Sequence, residues 1–195
     1  MRIISGKFRG KKIPVPVGLP VRPTTDFAKT GLFNILSARY NLSQLRVADL
    51  FSGTGSLTYE FLSRGCVEVT AVDRDPGCIR FIRRMLEDMK APAGVTAQRS
   101  DALEWLKSTG DTFDLIVADP PFEHTPADEI IGLVLSRQML RSGGLLVIEH
   151  ASGNDLSALS GFREARRYGA VTFSFFGNLN GPKGLSPNFV DNPLN

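Results

Sequence analysis

The segment Asp119-Pro120-Pro121-Phe122 joins a carboxylate, two prolines and an aromatic ring at the end of an apolar run, FDLIVA. The Asp119 carboxylate and the Pro120 carbonyl can both accept hydrogen bonds, and the prolines stiffen the backbone between them. Two such acceptors can take both hydrogens of an amino group on a nucleobase. This turns the nitrogen lone pair toward an electrophile and stabilises the positive charge that develops. Phe122 offers a face on which an unpaired base can stack. The alternative interpretation of the whole segment is a plain turn with two prolines.

A second group of residues, DLFSGTGS at 49–56, places two glycines between an apolar run and a helical pattern. Gly53 and Gly55 allow a sharp turn and a close approach of the backbone to a ligand. The third glycine of the dinucleotide-binding pattern is absent, because position 58 is Thr. The position of the pair, after a strand and before a helix, favours a ligand site over a generic turn.

Two further carboxylates end predicted strands. Asp73 follows VTAV about 20 residues after Gly53, where a carboxylate can accept hydrogen bonds from ribose hydroxyls. Asp75 competes for that position, and either acid could instead serve the helix that begins near Pro76. We assign the ribose to Asp73 because it ends the strand directly. Asp101 could accept a hydrogen bond from an adenine amino group, or could only cap the helix that follows it.

The elements that must position these residues alternate along the chain. Strands are predicted at 45–51, 67–73, 94–100, 113–119, 143–150 and 170–176, and helices at 24–40, 56–65, 76–90, 101–108 and 127–140; residues 161–169 are predicted to form a loop or turn. The alternation predicts an α/β fold with a mostly parallel sheet and helices on both faces. In such sheets ligands bind outside the carboxyl ends of the strands, where the residues above are found.

Composition narrows the class of protein. The chain has 195 residues, 42% of them hydrophobic and 22% charged, which suits one domain with a sizeable core. No apolar run approaches the roughly 18 residues of a membrane span, and the basic N-terminus has no apolar stretch typical of a secretory signal. Cys66 and Cys78 have no neighbouring ligands at metal-site spacing, so they are expected to be reduced thiols. These features favour a cytoplasmic protein without a bound metal.

Positive charge is concentrated near the N-terminus. Residues 1–46 contain nine Lys or Arg and one acid, Asp26, whereas the rest of the chain has more acids than bases. A basic segment on a mildly acidic body favours a polyanionic partner such as a nucleic acid. The alternative is a solvated basic surface without a partner.

Together these segments resemble a known enzyme family. The Asp-Pro-Pro-aromatic segment resembles that of class I S-adenosylmethionine-dependent methyltransferases acting on exocyclic amino groups. MRIISGKFRGKKI, RPTTDFAKTGLFNIL, DLFSGTG, EFLSRG and ADPPF resemble the RsmD family, bacterial enzymes that methylate N2 of a guanine in 16S ribosomal RNA. The resemblance covers roughly residues 1–176. It implies a Rossmann-like class I methyltransferase fold with a seven-stranded, mostly parallel sheet. A small N-terminal basic hairpin or arm is expected at 1–23, the methyltransferase domain at 24–176 and an irregular tail at 177–195.

The resemblance also implies a role for each matching residue. The catalytic set is Asp119, Pro120, Pro121 and Phe122; the S-adenosylmethionine set is Asp49, Phe51, Gly53, Gly55, Asp73, Asp101 and Thr25; the RNA-binding set is Arg2, Lys7, Arg9, Lys11, Lys12 and Arg22. The implied partner is ribosomal RNA, within the small subunit or an assembly intermediate, bound by a monomer without membrane or metal. Phe27 and Thr30 depart from the family, since many relatives carry a basic residue and an acid near these positions.

Three other functions remain open at this point. An N6-adenine DNA methyltransferase would use the same Asp-Pro-Pro-Phe segment, although 195 residues leave little room for a target-recognition segment. A non-catalytic RNA-binding assembly factor could share the fold. A nicotinamide-dependent oxidoreductase would need a third glycine and a proton donor, and Tyr40, Tyr59 and Tyr168 do not lie in such a motif.

Overall fold

The structure, a computed structural model, describes residues 1–16, 18–19, 25–121 and 127–177. The helices are α1 (Asp26–Arg39), α2 (Ser56–Ser63), α3 (Pro76–Asp88), α4 (Ala102–Ser108) and α5 (Ala127–Ser136). The strands are β1 (Arg46–Leu50), β2 (Glu68–Asp73), β3 (Val95–Arg99), β4 (Phe113–Ala118), β5 (Leu140–Ala151), β6 (Phe162–Tyr168) and β7 (Val171–Phe176).

In the described residues, the strands form one seven-stranded sheet in the order β3-β2-β1-β4-β5-β7-β6. Strands β1 to β5 pair in parallel, and β7 pairs antiparallel with both β5 and β6. The predicted α/β fold with a mostly parallel sheet is therefore confirmed. The carboxyl ends of β2, β1 and β4 are neighbours in this order, so the residues that follow these strands meet at one edge.

Alternation along the strands divides the core into two layers. Val117 faces the layer formed with α1, α2 and α3, whereas Ala118 faces the layer formed with α4 and α5. Successive side chains of a strand point to opposite faces of the sheet. The alternation therefore places Asp119, two residues after Val117, on the face covered by α1 to α3.

Helix α3 shows how the sequence specifies these layers. Asp75 caps its N-terminus by accepting a hydrogen bond from the Cys78 amide at 2.8 Å, and Pro76 occupies the first turn, where its missing N–H costs nothing. The predicted apolar stripe of this helix is buried: Ile79, Ile82, Met85, Leu86 and Met89.

The prediction for residues 161–169 was wrong, because Phe162–Tyr168 forms strand β6 rather than a loop. The segment is rich in charge, with the sequence FREARRY, and has no apolar alternation to indicate a strand. It lies at the edge of the sheet, where charged residues are favoured because they prevent pairing with other chains. The predicted helix 127–140 is also too long: α5 ends at Ser136 and Leu140 already begins β5.

The N-terminal segment forms a small hairpin that packs against α2. Its two arms meet in an antiparallel bridge between Arg2 and Lys12, and Ile3 and Ile13 are 1% exposed, in the same core layer as α1. The amide of Lys7 donates to the carbonyl of Ser63, near the end of α2, at 2.7 Å. The basic side chains are thus carried by a hairpin that is anchored through its apolar residues. No helix in the described part of the chain is long and apolar enough to cross a membrane.

Candidate active site

A tight turn follows β1 and leads into α2. Phe51, Gly53 and Gly55 all have positive φ angles, of 56°, 52° and 82°. A phenylalanine in this region is strained, and such strain is found where the surrounding structure requires a particular backbone path. The Ser52 amide donates to the Val72 carbonyl of β2 at 3.0 Å, which fixes the turn to the neighbouring strand. We refer to residues 51–55 as the glycine turn.

Gly55 has a second reason to be glycine. A Cβ atom at this position would lie 2.9 Å from the ring of Tyr59 and 3.0 Å from Ile82. Both neighbours are fully enclosed in the core, so neither could move aside easily. The residue is also the N-cap of α2, so the turn delivers the chain directly into that helix with its amide groups pointing outward.

Asp73 holds the glycine turn from the end of β2. Its carboxylate accepts hydrogen bonds from the Gly53 amide at 2.7 Å and from the Asp75 amide at 2.8 Å. Asp75 caps α3, so the two acids have different tasks: Asp75 begins the helix, and Asp73 lies against the turn. The ribose contact of Asp73 remains a prediction.

Asp49 lies buried beneath the same turn. Its carboxylate accepts a hydrogen bond from the Thr58 hydroxyl at 2.5 Å. Burial raises the pKa of Asp49 to about 7; the Thr58 hydrogen bond opposes this rise, and the nearby charges of Asp119 and Asp73 add to it. The carboxylates of Asp73 and Asp119 are therefore close enough to influence that of Asp49 electrostatically.

Asp119 and Pro120 begin directly beyond β4, on the other side of β1 from Asp73. Leu50 pairs with Ala118 in the sheet, and the Asp119 amide donates to the Leu50 carbonyl at 3.4 Å. Asp119 is half-buried, Pro120 is buried and Pro121 is exposed. The acceptor pair thus lies next to the start of the glycine turn. Phe122 and His124 lie outside the described residues.

One polar atom of the glycine turn supports a ligand at this position. The Ser52 hydroxyl oxygen is buried, and within the described part of the chain it has no hydrogen-bond partner. A buried hydroxyl without a partner is costly, and such atoms call for an explanation such as a bound ligand or water. The backbone of a helix start, a glycine turn and neighbouring carboxylates can together bind a molecule that carries amino and hydroxyl groups.

The two remaining residues of the predicted cofactor set act as helix caps. Asp101 accepts hydrogen bonds from the amides of Leu103 and Glu104, at the start of α4. Thr25 accepts one from the Ala28 amide at 3.2 Å, at the start of α1. Asp101 follows β3, the strand next to β2, and is exposed, so a role toward a ligand remains a prediction in addition to the cap.

The structure separates the basic residues of the N-terminal region into two groups. Arg2, Lys7, Arg9, Lys11 and Lys12 are all exposed on the hairpin, and Arg22 lies outside the described residues. Lys29, by contrast, is buried, and Arg39 is paired with Glu164. The predicted positive surface is therefore smaller than the count of basic residues suggested, because these two side chains serve internal contacts.

Lys29 belongs to a buried ion pair that the sequence did not reveal. Its ammonium lies 3.4 Å from the Glu60 carboxylate and donates to the Arg2 carbonyl at 2.7 Å and to the Ser56 hydroxyl at 3.3 Å. Burial lowers the pKa of Lys29, and the charge of Glu60 opposes that change. Glu60 also accepts a hydrogen bond from the Ile4 amide. The pair connects the hairpin, α1 and the first residue of α2.

Glu149 is a second residue that the sequence reasoning missed. Ala118 pairs with Ile148, so the next pair in the same register places Glu149 beside Asp119, and Glu149 is buried. A charged residue directly after the apolar run LLVI is the same signal that identified Asp119. The signal could therefore have been recognised in the sequence.

A family model and known proteins match this chain over most of its length. The family model described as "Conserved hypothetical protein 95" matches residues 1–177. The protein named ribosomal RNA small subunit methyltransferase D of Haemophilus influenzae is 34% identical over 154 residues, which cover 76% of this chain and 78% of the relative.

Solved structures share the fold. Hypothetical protein TTHA0928 of Thermus thermophilus superposes with a TM-score of 0.77 at 27% identity, over 90% of this chain and 98% of that one. The T. thermophilus 16S rRNA N2 G1207 methyltransferase, solved with AdoMet and guanosine, gives a TM-score of 0.67 at 23% identity, over 91% of this chain and 49% of that one. The fold is that of the class I methyltransferases. On the match of the family model and of the H. influenzae relative, this chain belongs to the RsmD family, described as Conserved hypothetical protein 95.

Proposed function

We propose that this protein transfers a methyl group from S-adenosylmethionine to the exocyclic N2 amine of a guanine in 16S ribosomal RNA. The observation that carries the proposal is the position of Asp119 and Pro120 beside the glycine turn, held by the hydrogen bond from the Asp119 amide to the Leu50 carbonyl. It supports the proposal because two hydrogen-bond acceptors that could take up an amine follow β4 next to a turn suited to a small ligand.

The names of the relatives support the class of substrate. The H. influenzae relative is named for methylation of small-subunit ribosomal RNA, and the T. thermophilus structure is named for N2 of a guanine. The exposed basic hairpin is suited to RNA phosphates. We further propose that the enzyme acts as a monomer in the cytoplasm on the small subunit or an assembly intermediate, and that it needs no metal.

The residues of the glycine turn fit S-adenosylmethionine. Gly53 and Gly55 would let the backbone approach it, Asp73 would accept hydrogen bonds from its ribose, and the Ser52 hydroxyl would gain a partner. Asp49 and Phe51 would border its pocket. When bound, the cofactor supplies a methyl group on a positively charged sulfur.

Asp119 and Pro120 would prepare the amine. The guanine N2 lone pair is delocalised into the ring, which makes the free amine a poor nucleophile. Two acceptors that hold both N–H bonds rotate this lone pair out of conjugation and stabilise the positive charge that develops on nitrogen. Asp119, which is half-buried, would also accept the proton that the amine releases.

The test compares Asp119→Ala and Asp119→Asn with wild type. Methyl transfer from labelled cofactor to small subunits lacking the modification should fall about 100-fold, as expected when one preorganised electrostatic contact is removed. Cofactor affinity, measured by calorimetry, should stay close to the wild-type value. Asp88→Ala, which removes an exposed carboxylate at the end of α3, is the matched control.

Analysis of the methylated nucleoside by mass spectrometry distinguishes the substrates. N2-methylguanine is the expected product. N6-methyladenine would favour the adenine alternative, and RNA binding without any product would favour an assembly factor. An Asp119→Ala variant that binds cofactor and transfers methyl groups at the wild-type rate would refute the mechanism.

A further inference from the structure

Phe27 is an aromatic side chain that is largely exposed to solvent. It lies in the first turn of α1 and is 67% exposed; in the described residues, Val67 at 48% is the other large hydrophobic side chain with high exposure. A single exposed hydrophobic residue is common and needs no explanation. Phe27 differs from such residues because its ring is held by contacts with other aromatic rings.

A series of aromatic rings connects Phe27 to the core. Its ring meets that of Tyr168 at 5.7 Å and 74°, and Tyr168 in turn contacts the buried Phe173 at 5.9 Å. Tyr168 reaches α1 because Gly31 has no side chain: a Cβ there would lie 2.1 Å from the tyrosine ring. The edge contact with Tyr168 holds the Phe27 ring while most of the side chain stays exposed. A ring held in this way can stack on a base with a smaller loss of conformational entropy.

Two elements that contact the first turn of α1, the hairpin and β6, carry basic side chains. Arg2 bonds to Asp26, the residue before Phe27, at 2.9 Å, and both line an open groove of about 760 Å³ together with Lys12 and apolar residues of the hairpin. The exposed Arg166, which pairs with Glu164 at 2.8 Å, lies on the same face of β6 as Tyr168, two residues before it. Aromatic rings flanked by cations are the usual means of binding single-stranded nucleic acid.

The sheet places Tyr168, which contacts Phe27, at the same edge as Asp119. Tyr168 pairs with Val171, which pairs with Ala151 near the carboxyl end of β5. Strand β6 is three strands from β4, which corresponds to roughly 14 Å across the sheet. Since α1 covers the face on which the alternation places Asp119, a strand of RNA entering the site can pass over Phe27.

We propose that Phe27 stacks on an unpaired RNA base that flanks the target nucleotide, with Arg2, Lys12 and Arg166 contacting the adjoining phosphates. The proposal rests on the proposed action on RNA and adds a specific contact to it. The ring supplies affinity without charge, which separates its effect from that of the basic residues.

The experiment measures binding of the full-length protein to a short fluorescent single-stranded RNA with one guanine among adenines. Phe27→Ala should weaken binding about tenfold, whereas Phe27→Trp should keep close to wild-type affinity because it retains a stacking face. The slope of affinity against salt should be the same for Phe27→Ala and wild type, since no charge is removed. Val67→Ala, which removes a comparably exposed hydrophobic side chain before β2, should bind like wild type.

Equal RNA affinity of Phe27→Ala and wild type would overturn the inference. A loss of RNA affinity for Phe27→Trp as large as that for Phe27→Ala would also overturn it. Methyl transfer by wild type in that case would leave the proposed function intact. RNA binding that depends on Phe27 without methyl transfer would support the stacking contact while refuting the enzymatic function. A melting temperature measured for each variant verifies that the fold is kept.

Discussion

At the scale of single residues, the buried carboxyl group of Asp49 makes the stability of the folded protein depend on pH. The folded protein holds the Asp49 proton up to about pH 7, whereas the ordinary pKa of this carboxyl is 3.8. Because the folded state binds this proton more tightly than the unfolded chain, Asp49 makes the folded state progressively less stable as pH rises from 3.8 to about 7. Above that range the contribution is constant.

Asp49→Asn tests this linkage, because an amide cannot ionise but can still accept the Thr58 hydrogen bond. The free energy of unfolding of the variant, relative to wild type, should increase from about pH 4 to about pH 7 and then level off. Urea unfolding across this range measures it. Parallel pH profiles of the two proteins would contradict the assignment, and Asp88→Asn, with an exposed carboxylate, is the control.

Individual residues differed in how well the sequence revealed them. Gly53 and Gly55 could be identified because their positive φ angles favour glycine. This requirement is visible in the sequence as two glycines between a strand and a helix. Lys29 could not, because a lysine in an amphipathic helix normally faces solvent. Its burial depends on Glu60, which is 31 residues away in the chain and reaches Lys29 only in the folded structure.

At the scale of elements, Gly31 and Gly132 offer a matched comparison within two helices. Alanine normally stabilises a helix interior by about 1 kcal/mol relative to glycine. Gly132→Ala in α5 should do so, since nothing lies within 4 Å of the added methyl group. Gly31→Ala in α1 should instead destabilise the protein, because the methyl group would displace the Tyr168 ring. Thermal unfolding of both variants measures the opposite signs, and stabilisation by Gly31→Ala would contradict the packing.

The buried ion pair gives a second prediction for the elements it joins. Lys29→Met leaves the Glu60 carboxylate buried with less compensation, which should lower the free energy of unfolding by about 3 kcal/mol. Adding Glu60→Gln should cost less than the sum of the two single changes, because the uncompensated charge is then absent.

Lys107→Ala, which breaks the exposed pair with Glu104, should cost less than about 1 kcal/mol. Denaturant unfolding of the four variants tests the difference. A loss for Lys29→Met as small as that for Lys107→Ala would show that the buried pair is energetically unimportant.

Element prediction succeeded where one pattern dominated. Helix α3 could be predicted because one full stripe of its side chains is apolar and buried. The central strands could be predicted because both of their faces are buried, which gives a continuous apolar run. Strand β6 was missed because its pairing with β7 supplies the stability that its own sequence does not indicate. The position of β7 between β5 and β6 also depends on contacts distant in sequence, which local patterns do not encode.

At the scale of the whole molecule, the uneven charge predicts how RNA binding responds to salt. Each phosphate contact made by a single strand contributes about −0.7 to the slope of log affinity against log salt. Replacing Lys7, Lys11 and Lys12 of the hairpin with alanine should therefore reduce the steepness of this slope by about 2. Filter binding or anisotropy over a range of salt concentrations measures it.

The control for the salt experiment is Arg84→Ala, which removes an exposed positive charge from α3, away from the hairpin. It should leave the slope close to that of wild type. A slope equally reduced by the α3 variant would mean that RNA responds to net charge rather than to the hairpin surface.

Pro120 and Pro121 leave two successive residues of the site without an amide hydrogen. At these positions the backbone offers oxygen lone pairs but no donors. A heterocycle that presented a keto oxygen there would meet repulsion between lone pairs, whereas one that presented an amine could donate hydrogen bonds. If the protein acts as proposed, the prolines that stiffen the loop would therefore also select for the polarity of the incoming ring, before any bond is made or broken.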